Sequence, residues 1–157
     1  MNFDTAFDRL ISHEGGYVND TRDPGGETNW GISKRSYPNV DIKALDRQGA
    51  KGIYRCDFWE VLGNAHPAIT FQAFDFAVNS GISTALRKLQ VVVGVADDGH
   101  WGPMSQSALT RMEVNDVLLR YLGQRLAYMT KLTTFDIYGR GWSNRIALNL
   151  ACAAEDN

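Results

Sequence analysis

The chain has 157 residues, an apolar fraction of 44% and a formal net charge of −2, values typical of an ordinary globular domain with one core. Nucleic acids and anionic membranes are recognised by an excess of basic side chains, so this charge does not favour either as a partner. No apolar run approaches the roughly twenty residues of a membrane helix, and the N-terminus has neither the basic nor the apolar segment of a signal peptide.

The first predicted element is an amphipathic helix over residues 3–13, with apolar residues such as Phe3 and Phe7 at helical spacing. The glycine pair that starts at Gly15 ends this helix. Glu14 then lies in or next to the last turn, where the negative end of the helix dipole disfavours an ionised carboxylate. A carboxyl group that stays protonated near neutral pH suits a general acid, although an exposed Glu beside a glycine cap would look the same.

A loop rich in Gly, Asp and Asn follows, from Gly15 to about Ser36, and Trp30-Gly31-Ile32 is predicted to form a short strand within it. The later helices are predicted from their caps and periodicity. Asp41 caps a helix through Leu62 that is interrupted near Gly49 or Gly52, Pro67 opens a helix to Asn79, Ser83 or Thr84 caps a helix to Val95, and three more cover 103–113, 115–131 and 142–154.

The helix from Pro67 to Asn79 is apolar on nearly all sides, so we expect it to be buried at the centre of the fold. No repeat, low-complexity tract or linker divides the chain. Cys56 and Cys152 lie in apolar helical patterns without metal-ligand spacing, which predicts buried free thiols and leaves a disulfide between them open.

The motifs His13-Glu14-Gly15-Gly16-Tyr17-Val18-Asn19-Asp20 and Asp23-Pro24-Gly25-Gly26-Glu27-Thr28-Asn29-Trp30-Gly31-Ile32-Ser33 resemble the signature of glycoside hydrolase family 108, the N-acetylmuramidases of phage endolysins and bacterial genomes. Segments 50–59 and 74–81 are similar to later blocks of that family. From Leu89 to Pro103, and again over Gly141-Trp142-Ser143-Asn144-Arg145, the chain resembles the predicted peptidoglycan-binding segment that accompanies it.

The resemblance implies a mainly α, lysozyme-like α+β fold with a small β-containing loop after the first helix. We expect one domain over residues 1–157, in which residues 1–82 form the catalytic block that carries Glu14. Residues 83–157 then form a helical, peptidoglycan-binding-like block of the same fold.

The resemblance also implies an enzyme that cleaves the β-1,4 bond between N-acetylmuramic acid and N-acetylglucosamine, with Glu14 as general acid and without a cofactor. Asp23 follows Glu14 at the spacing that phage-type lysozymes use between their acid and their aspartate, although an Asp-Pro turn former is the competing reading. Those enzymes place a Thr six residues after the Asp. Here that position is Asn29, and Thr28 is one step earlier, so either could hold the attacking water.

Tyr17 and Trp30 are candidate stacking residues for sugar rings, with packing alone as the alternative. Asn79 is a candidate ligand for a hydroxyl or N-acetyl group, with helix capping as the alternative, and Asn29 completes the predicted substrate-binding set. Asp20 is interpreted as a turn residue.

Other classes of protein are weighed against this reading. Tyr17 stands where a zinc HExxH motif has its second His, so we expect no metal site. A lytic transglycosylase that uses the same Glu, and a catalytically silent wall-binding module, stay open. We expect a monomer that binds peptidoglycan glycan strands, with no nucleic acid and no stable membrane association. It would be made in the host cytoplasm without a signal peptide and act on the wall in the periplasm, with a holin for access if it is a bacteriophage host-lysis enzyme.

Overall fold

The computed structural model describes residues 1–11, 16–19 and 26–157 of the chain. The predictions made for Glu14 and Asp23 fall on other residues and lie outside the described part.

The described residues form a mainly α structure with a small antiparallel sheet, which confirms the predicted fold class. None of the described helices is long and apolar enough to cross a membrane. In chain order the elements are α1 (Phe3–Ile11), β1 (Val18–Asn19), β2 (Glu27–Asn29), β3 (Ile32–Ser33), α2 (Arg47–Tyr54), α3 (Pro67–Ser80), α4 (Ile82–Val93), α5 (Pro103–Leu109), α6 (Val114–Met129) and α7 (Phe135–Asp156).

The chain divides into two compact units, Asn2–Glu60 and Val61–Asn157 together with Met1. The first unit holds α1, the sheet and α2, and the second holds α3 to α7. One domain with blocks 1–82 and 83–157 stays a prediction.

In the first unit, aromatic rings on one face of α1 form the contacts with α2 and the turn that follows it. The Phe7 ring lies 5.8 Å from the ring of Tyr54, and the Phe3 ring lies 5.6 Å from that of Trp59. Both phenylalanines are buried. The amphipathic spacing read from the sequence therefore corresponds to the buried face of α1.

The three strands follow one another in the order β1-β2-β3, so β2 is central. Asn29 pairs with Ile32 across a two-residue connection. Trp30 and Gly31 form this connection with φ angles of +54° and +76°, which is the pattern of a type I′ hairpin turn. The predicted strand at 30–32 is therefore wrong for Trp30 and Gly31, and β3 begins at Ile32.

The prediction that Asp41 caps the next helix is wrong. Asp46 is the N-cap of α2, because its side chain accepts a hydrogen bond of 2.7 Å from the Gly49 amide. Asp41 instead accepts from the amide of Ala44 at 3.1 Å, in a turn before the helix. The predicted interruption near Gly49 or Gly52 is also wrong, since α2 runs through both residues.

A π-helical turn at Arg55–Trp59 continues α2, and a 3₁₀ turn at Glu60–Leu62 follows it. The wider turn changes which residues face inward, and none of these five is buried. Cys56 is consequently an exposed free thiol, and Cys152 is half-buried, so the prediction that both are buried is wrong.

The second unit is built around α3, as the sequence predicts. Pro67 occupies its first turn, and every residue from Ala68 to Ala77 is buried. Helices α4, α6 and α7 all pack against it. A helix covered on so many sides must be apolar nearly all round, and this explains its composition.

One glycine joins α3 to α4. Gly81 has a φ of +84° and a ψ of 146°, a conformation that residues with a side chain rarely adopt, and α4 begins at the next residue. The predicted caps Ser83 and Thr84 are therefore wrong, because both lie inside the first turn of α4. The helix ends at Val93 rather than Val95, since Gly94 takes the left-handed conformation of a helix C-cap.

Helix α7 begins at Phe135 rather than at residue 142. The glycines at 139 and 141 look like helix breakers in the sequence, but α7 passes through both. A Cβ at Gly139 would lie 2.8 Å from the ring of Phe135, so this glycine makes room for an aromatic ring one turn earlier.

Candidate functional site

The structure places four of the predicted site residues on or beside the sheet of the first unit. Tyr17 precedes β1, is 39% exposed, and donates a hydrogen bond of 3.3 Å from its hydroxyl to Oε1 of Glu27. Partial burial and the charge of the Glu27 carboxylate raise the pKa of Tyr17. The phenol therefore stays protonated and remains a hydrogen-bond donor over the physiological range.

Asn29 is only 6% exposed and fixes the sheet to the segment after it. Its Nδ2 donates to the carbonyl oxygens of Ile42 at 3.1 Å and Leu45 at 3.0 Å. Both amide hydrogens are thus used within the protein. The role of Asn29 as a substrate ligand stays a prediction. In that role its side chain would accept a hydrogen bond through its oxygen, because both amide hydrogens are already bonded.

Trp30 is held in its left-handed conformation from two sides. Its indole Nε1 donates to the Leu45 carbonyl at 3.1 Å, and its own carbonyl accepts from the Tyr54 hydroxyl at 2.8 Å. A bulky residue rarely adopts a φ of +54°. The indole bond to Leu45 is specific to tryptophan and favours it at a turn position where Asn or Gly would be less strained, whereas the bond from Tyr54 reaches a backbone carbonyl that any residue would supply.

Thr28 points to the other face of the sheet from Asn29, because successive side chains of a strand alternate. Its neighbours on that face are Val18 and Ser33, with which it pairs in the sheet. The Thr28 hydroxyl makes a long hydrogen bond of 3.5 Å to the Gly26 carbonyl. The structure therefore separates the two candidates for holding a water, and, counting only bonds between described residues, the Thr28 side chain is the more weakly bonded of the two.

Of the remaining residues singled out in the sequence, only Asn79 lies in the described part of the chain. Glu14, Asp20 and Asp23 lie outside the described residues. Asn79 belongs to the second unit, where it is exposed near the end of α3 and its Nδ2 donates to the Asp75 carbonyl at 2.7 Å. This bond within the helix matches the alternative reading of Asn79 as a residue that stabilises the helix end.

A buried charge cluster on α3, α6 and α7 was not predicted. Asp75 lies 2.5 Å from Nη1 of Arg125 and 2.7 Å from Nη2 of Arg145, and it accepts from Nδ2 of Asn149 at 2.8 Å. Burial alone raises the pKa of Asp75, but the two guanidinium groups outweigh it and hold that pKa below the usual range.

Arg125 is the most deeply placed member of this cluster. It is completely buried, and its Nε and Nη2 have no hydrogen-bond partner among the residues that the structure describes. Its guanidinium lies 5.0 Å from the centre of the Phe76 ring. The sequence does contain a signal for this cluster, since Asp75 is the one charged residue of a mostly apolar helix and must be paired if it is buried.

The comparisons with known proteins agree with the motifs in the loop. A family model described as "Glycosyl hydrolase 108" matches residues 7–81. The solved structure of Brucella abortus SagA is 32% identical, with a TM-score of 0.88 over 98% of this chain and 94% of that chain. The chain belongs to glycosyl hydrolase family 108. A comparison with curated proteins finds no match.

Membership in family 108 makes this chain a glycoside hydrolase and supports peptidoglycan as its class of substrate. The matched segment begins inside α1 and contains Glu14, the loop after it and the whole sheet. Because the match ends at Gly81, the likeness of residues 83–157 to a peptidoglycan-binding segment stays a prediction.

Proposed function

We propose that this family 108 member is a muramidase that hydrolyses the β-1,4 bond between N-acetylmuramic acid and N-acetylglucosamine. The observation that carries the proposal is the family match over residues 7–81, the segment that contains both the acid candidate and its loop. The 32% identity to a solved structure over almost the whole chain supports it. The endolysin setting, with cytoplasmic synthesis, holin-dependent access to the periplasm and a monomeric state, stays a prediction from the sequence.

In this mechanism Glu14 is the general acid that protonates the glycosidic oxygen of the leaving sugar. A second group must act on the opposite face of the sugar, either on a water molecule or on the developing cation. We assign that role to Asp23, with Thr28 as the residue that positions the water. The hydroxyl of Thr28 supports this choice over Asn29, because the Asn29 amide hydrogens are both bonded to backbone carbonyls.

Substrate contacts are assigned to the sheet and the residues beside it. Tyr17 is exposed and keeps its phenolic proton, so it can stack on a sugar ring or donate to a hydroxyl. The indole of Trp30 is half-buried and fixed by its bond to Leu45. Asn29 is the third proposed contact, through its side-chain oxygen, and the role of Asn79 on the second unit stays a prediction from the sequence.

The test is the cleavage of purified peptidoglycan by the variants Glu14→Gln and Asp23→Asn, followed by mass spectrometry of the products. Loss of a general acid typically lowers the rate by about 100- to 10,000-fold, and we expect at least this loss for Glu14→Gln. Asp23→Asn should be similarly slow if Asp23 acts in the reaction, and nearly normal if Asp23 only forms a turn. Glu60→Gln, which changes an exposed Glu in the turn after α2, is the matched control and should leave the rate unchanged.

The products separate the alternatives. Fragments that end in a reducing muramic acid are expected from the hydrolase. Anhydro-muramic ends would mean a lytic transglycosylase. Failure of the wild-type chain to release fragments would make it a wall-binding module, and more than a tenth of wild-type activity in Glu14→Gln would remove Glu14 as the acid.

A further inference from the structure

The C-terminal half of α7 has an apolar surface that faces solvent. Residues 146–154 are all apolar except Asn149, yet Asn149 is only 5% exposed, whereas Leu148 is 56% exposed. The buried residues of α7 lie on one side, where the helix packs against α3 and α6. A helix that is apolar on all sides is normally covered on all sides. The described part of the chain therefore leaves one apolar side of α7 without a covering element.

The uncovered side of α7 has a regular arrangement. Its side chains follow one another at spacings of three and four residues, so they share one face of the helix. We call this face the α7 outer face, and it consists of the exposed residues Arg140, Asn144, Ala147, Leu148, Ala151 and Glu155. The middle of the face is mainly small and apolar, and its two ends carry charges of opposite sign.

The two charged ends of the α7 outer face are unpaired in the described part of the chain. Neither Arg140 nor Glu155 forms a salt bridge with another described residue. Glu155 also lies in the last turn of α7, which has no basic residue. The free carbonyl groups of a helix C-terminus disfavour a carboxylate there, and a cation supplied from outside the chain would offset this effect.

We propose that the α7 outer face binds the same face of a second copy of this chain, with the two helices antiparallel. A two-fold axis between Ala147 and Leu148 brings Arg140 of each copy opposite Glu155 of the other, because Arg140 precedes Ala147 by as many residues as Glu155 follows Leu148. Two ion pairs then close the ends of the interface. Each arginine also offsets the unfavourable position of a Glu155 carboxylate.

The same axis makes the middle of the α7 outer face complementary to itself. Residues i, i+3, i+4 and i+7 of a helix surround a hole, and Asn144, Ala147, Leu148 and Ala151 have these spacings. The axis passes through the centre of that hole, so Leu148 of each copy enters the hole of the other. The two alanines leave room for the incoming leucine, and Leu148, which is 56% exposed in the single chain, becomes covered.

A second copy fits the α7 outer face better than other partners do. The face has one base and one acid, so it has no net charge to attract an anionic lipid surface. It contains no aromatic ring, the side chain that usually covers a sugar. From Arg140 to Glu155 the face is about 24 Å long. This is small for a protein interface, so we expect a weak dimer with a Kd of about 10–100 μM. The dimer replaces the monomer expected from the sequence and does not depend on the proposed function.

The test is the mass of the protein in solution, measured by sedimentation velocity over about 1–300 μM. Leu148→Glu places a charge at the centre of the interface and should leave the chain monomeric over the whole range. Arg140→Glu and Glu155→Arg each bring like charges together at both ends, and each should raise Kd by at least about tenfold, which corresponds to 1.4 kcal/mol. Arg111→Glu, in the exposed turn after α5, makes the same change of charge and should leave Kd within about twofold of the wild type.

Two combinations test the antiparallel pairing. The double variant Arg140→Glu with Glu155→Arg exchanges the charges and should restore Kd to within about threefold of the wild type. An equimolar mixture of the two single variants should also form a dimer, because each copy then meets the opposite charge at both ends. The substituted residues are all exposed, so thermal unfolding of every variant in dilute solution should be close to that of the wild type.

A wild type that stays monomeric up to about 300 μM would overturn the proposal, and so would a dimer that Leu148→Glu leaves intact. Weaker dimers in both single variants, without recovery in the double variant, would reject the pairing of Arg140 with Glu155 and with it the antiparallel arrangement. If a monomeric wild type bound lipid vesicles or peptidoglycan sacculi and Leu148→Glu did not, the α7 outer face would be a membrane or glycan surface instead.

Discussion

Asp75 lies on α3 between Phe74 and Phe76 and is only 3% exposed. Its carboxylate accepts hydrogen bonds from groups on two other helices, Arg125 on α6 and Arg145 on α7. An ionised carboxylate is stable in such a position only because these partners offset its loss of hydration. The side chain therefore joins three helices through charge rather than through apolar contact.

Asp75→Asn should be strongly destabilising. The substitution keeps the shape of the side chain but removes the carboxylate that two arginines share, one of them completely buried. Breaking a buried ion pair in this way costs about 3–5 kcal/mol. Urea unfolding at pH 7 measures the change, and Asp116→Asn is the control, since its 4.0 Å pair with Arg120 is exposed and should contribute less than about 1 kcal/mol. Equal losses in the two variants would contradict the buried-charge account.

The difference in unfolding free energy between the wild type and Asp75→Asn should depend on pH. The pKa of Asp75 is lower in the folded chain than in the unfolded chain, so its contribution to stability is fully present above the unfolded value, about 3.8. The contribution is lost as the pH falls through the lower, folded pKa. The difference between the wild type and Asp75→Asn should therefore persist from pH 7 to about pH 4 and shrink only in more acidic solution.

Single residues were the hardest level to predict from the sequence. The motif containing Asn29 suggests a ligand for substrate, but its amide donates to Ile42 and Leu45, which are distant in sequence. The sequence assigns no role to Asp75, because nothing local identifies Arg125 and Arg145 as its partners. A side chain whose hydrogen-bond or ion-pair partners come from distant segments of the chain produces no periodic pattern in the sequence.

At the level of elements, the start of α2 depends on Asp46. The Asp46 side chain accepts from the Gly49 amide, one of the donors that a helix N-terminus leaves without a partner in the helix. Asp46→Ala should lower the free energy of unfolding by about 1 kcal/mol, and Asp46→Ser should recover most of the loss. Asp41→Ala, which affects only a turn, should cost less. If urea unfolding showed a larger loss of stability for Asp41→Ala than for Asp46→Ala, Asp41 would be the N-cap, as the sequence suggested.

Helices with a strong apolar pattern were predicted well, whereas helices whose predicted ends depended on how a glycine was interpreted were not. Helix α3 was predicted within one residue because its all-round apolar composition and Pro67 act together. The start of α7 was missed because Gly139 looks like a breaker, whereas its role is to accommodate Phe135. A glycine needed for space and a glycine needed for a turn are identical in a sequence, and only the neighbouring ring distinguishes them.

At the scale of the whole molecule, the family match and the compact units have different boundaries. The matched segment ends at Gly81, but α3 packs against α4, α6 and α7, which all lie beyond that point. The ring of Phe76, for example, contacts the rings of Tyr121 and Tyr128, which lie on α6 beyond the matched segment. The segment that identifies the family therefore lacks the partners that bury its last helix.

A fragment of residues 1–81 should neither fold cooperatively nor cleave peptidoglycan. It keeps Glu14 and the sheet but leaves the buried rings of α3 without their partners, each worth roughly 1.5–3 kcal/mol of burial. Total stabilities of about 5–15 kcal/mol cannot absorb several such losses. Circular dichroism during heating, together with the release of reducing ends, measures both properties, with the full chain as control. A cooperative transition with retained activity would make residues 83–157 a separable module.

The charge cluster also constrains how this chain can diverge. Replacing Asp75, Arg125 or Arg145 alone takes an ion-pair partner from a buried charge inside the second unit, so each first step passes through a poorly folded intermediate. Lineages should consequently inherit the three residues together or lose them together, through rare combined changes at all three positions. The three residues are then inherited as a set, while the exposed positions of the three helices that hold them can change independently.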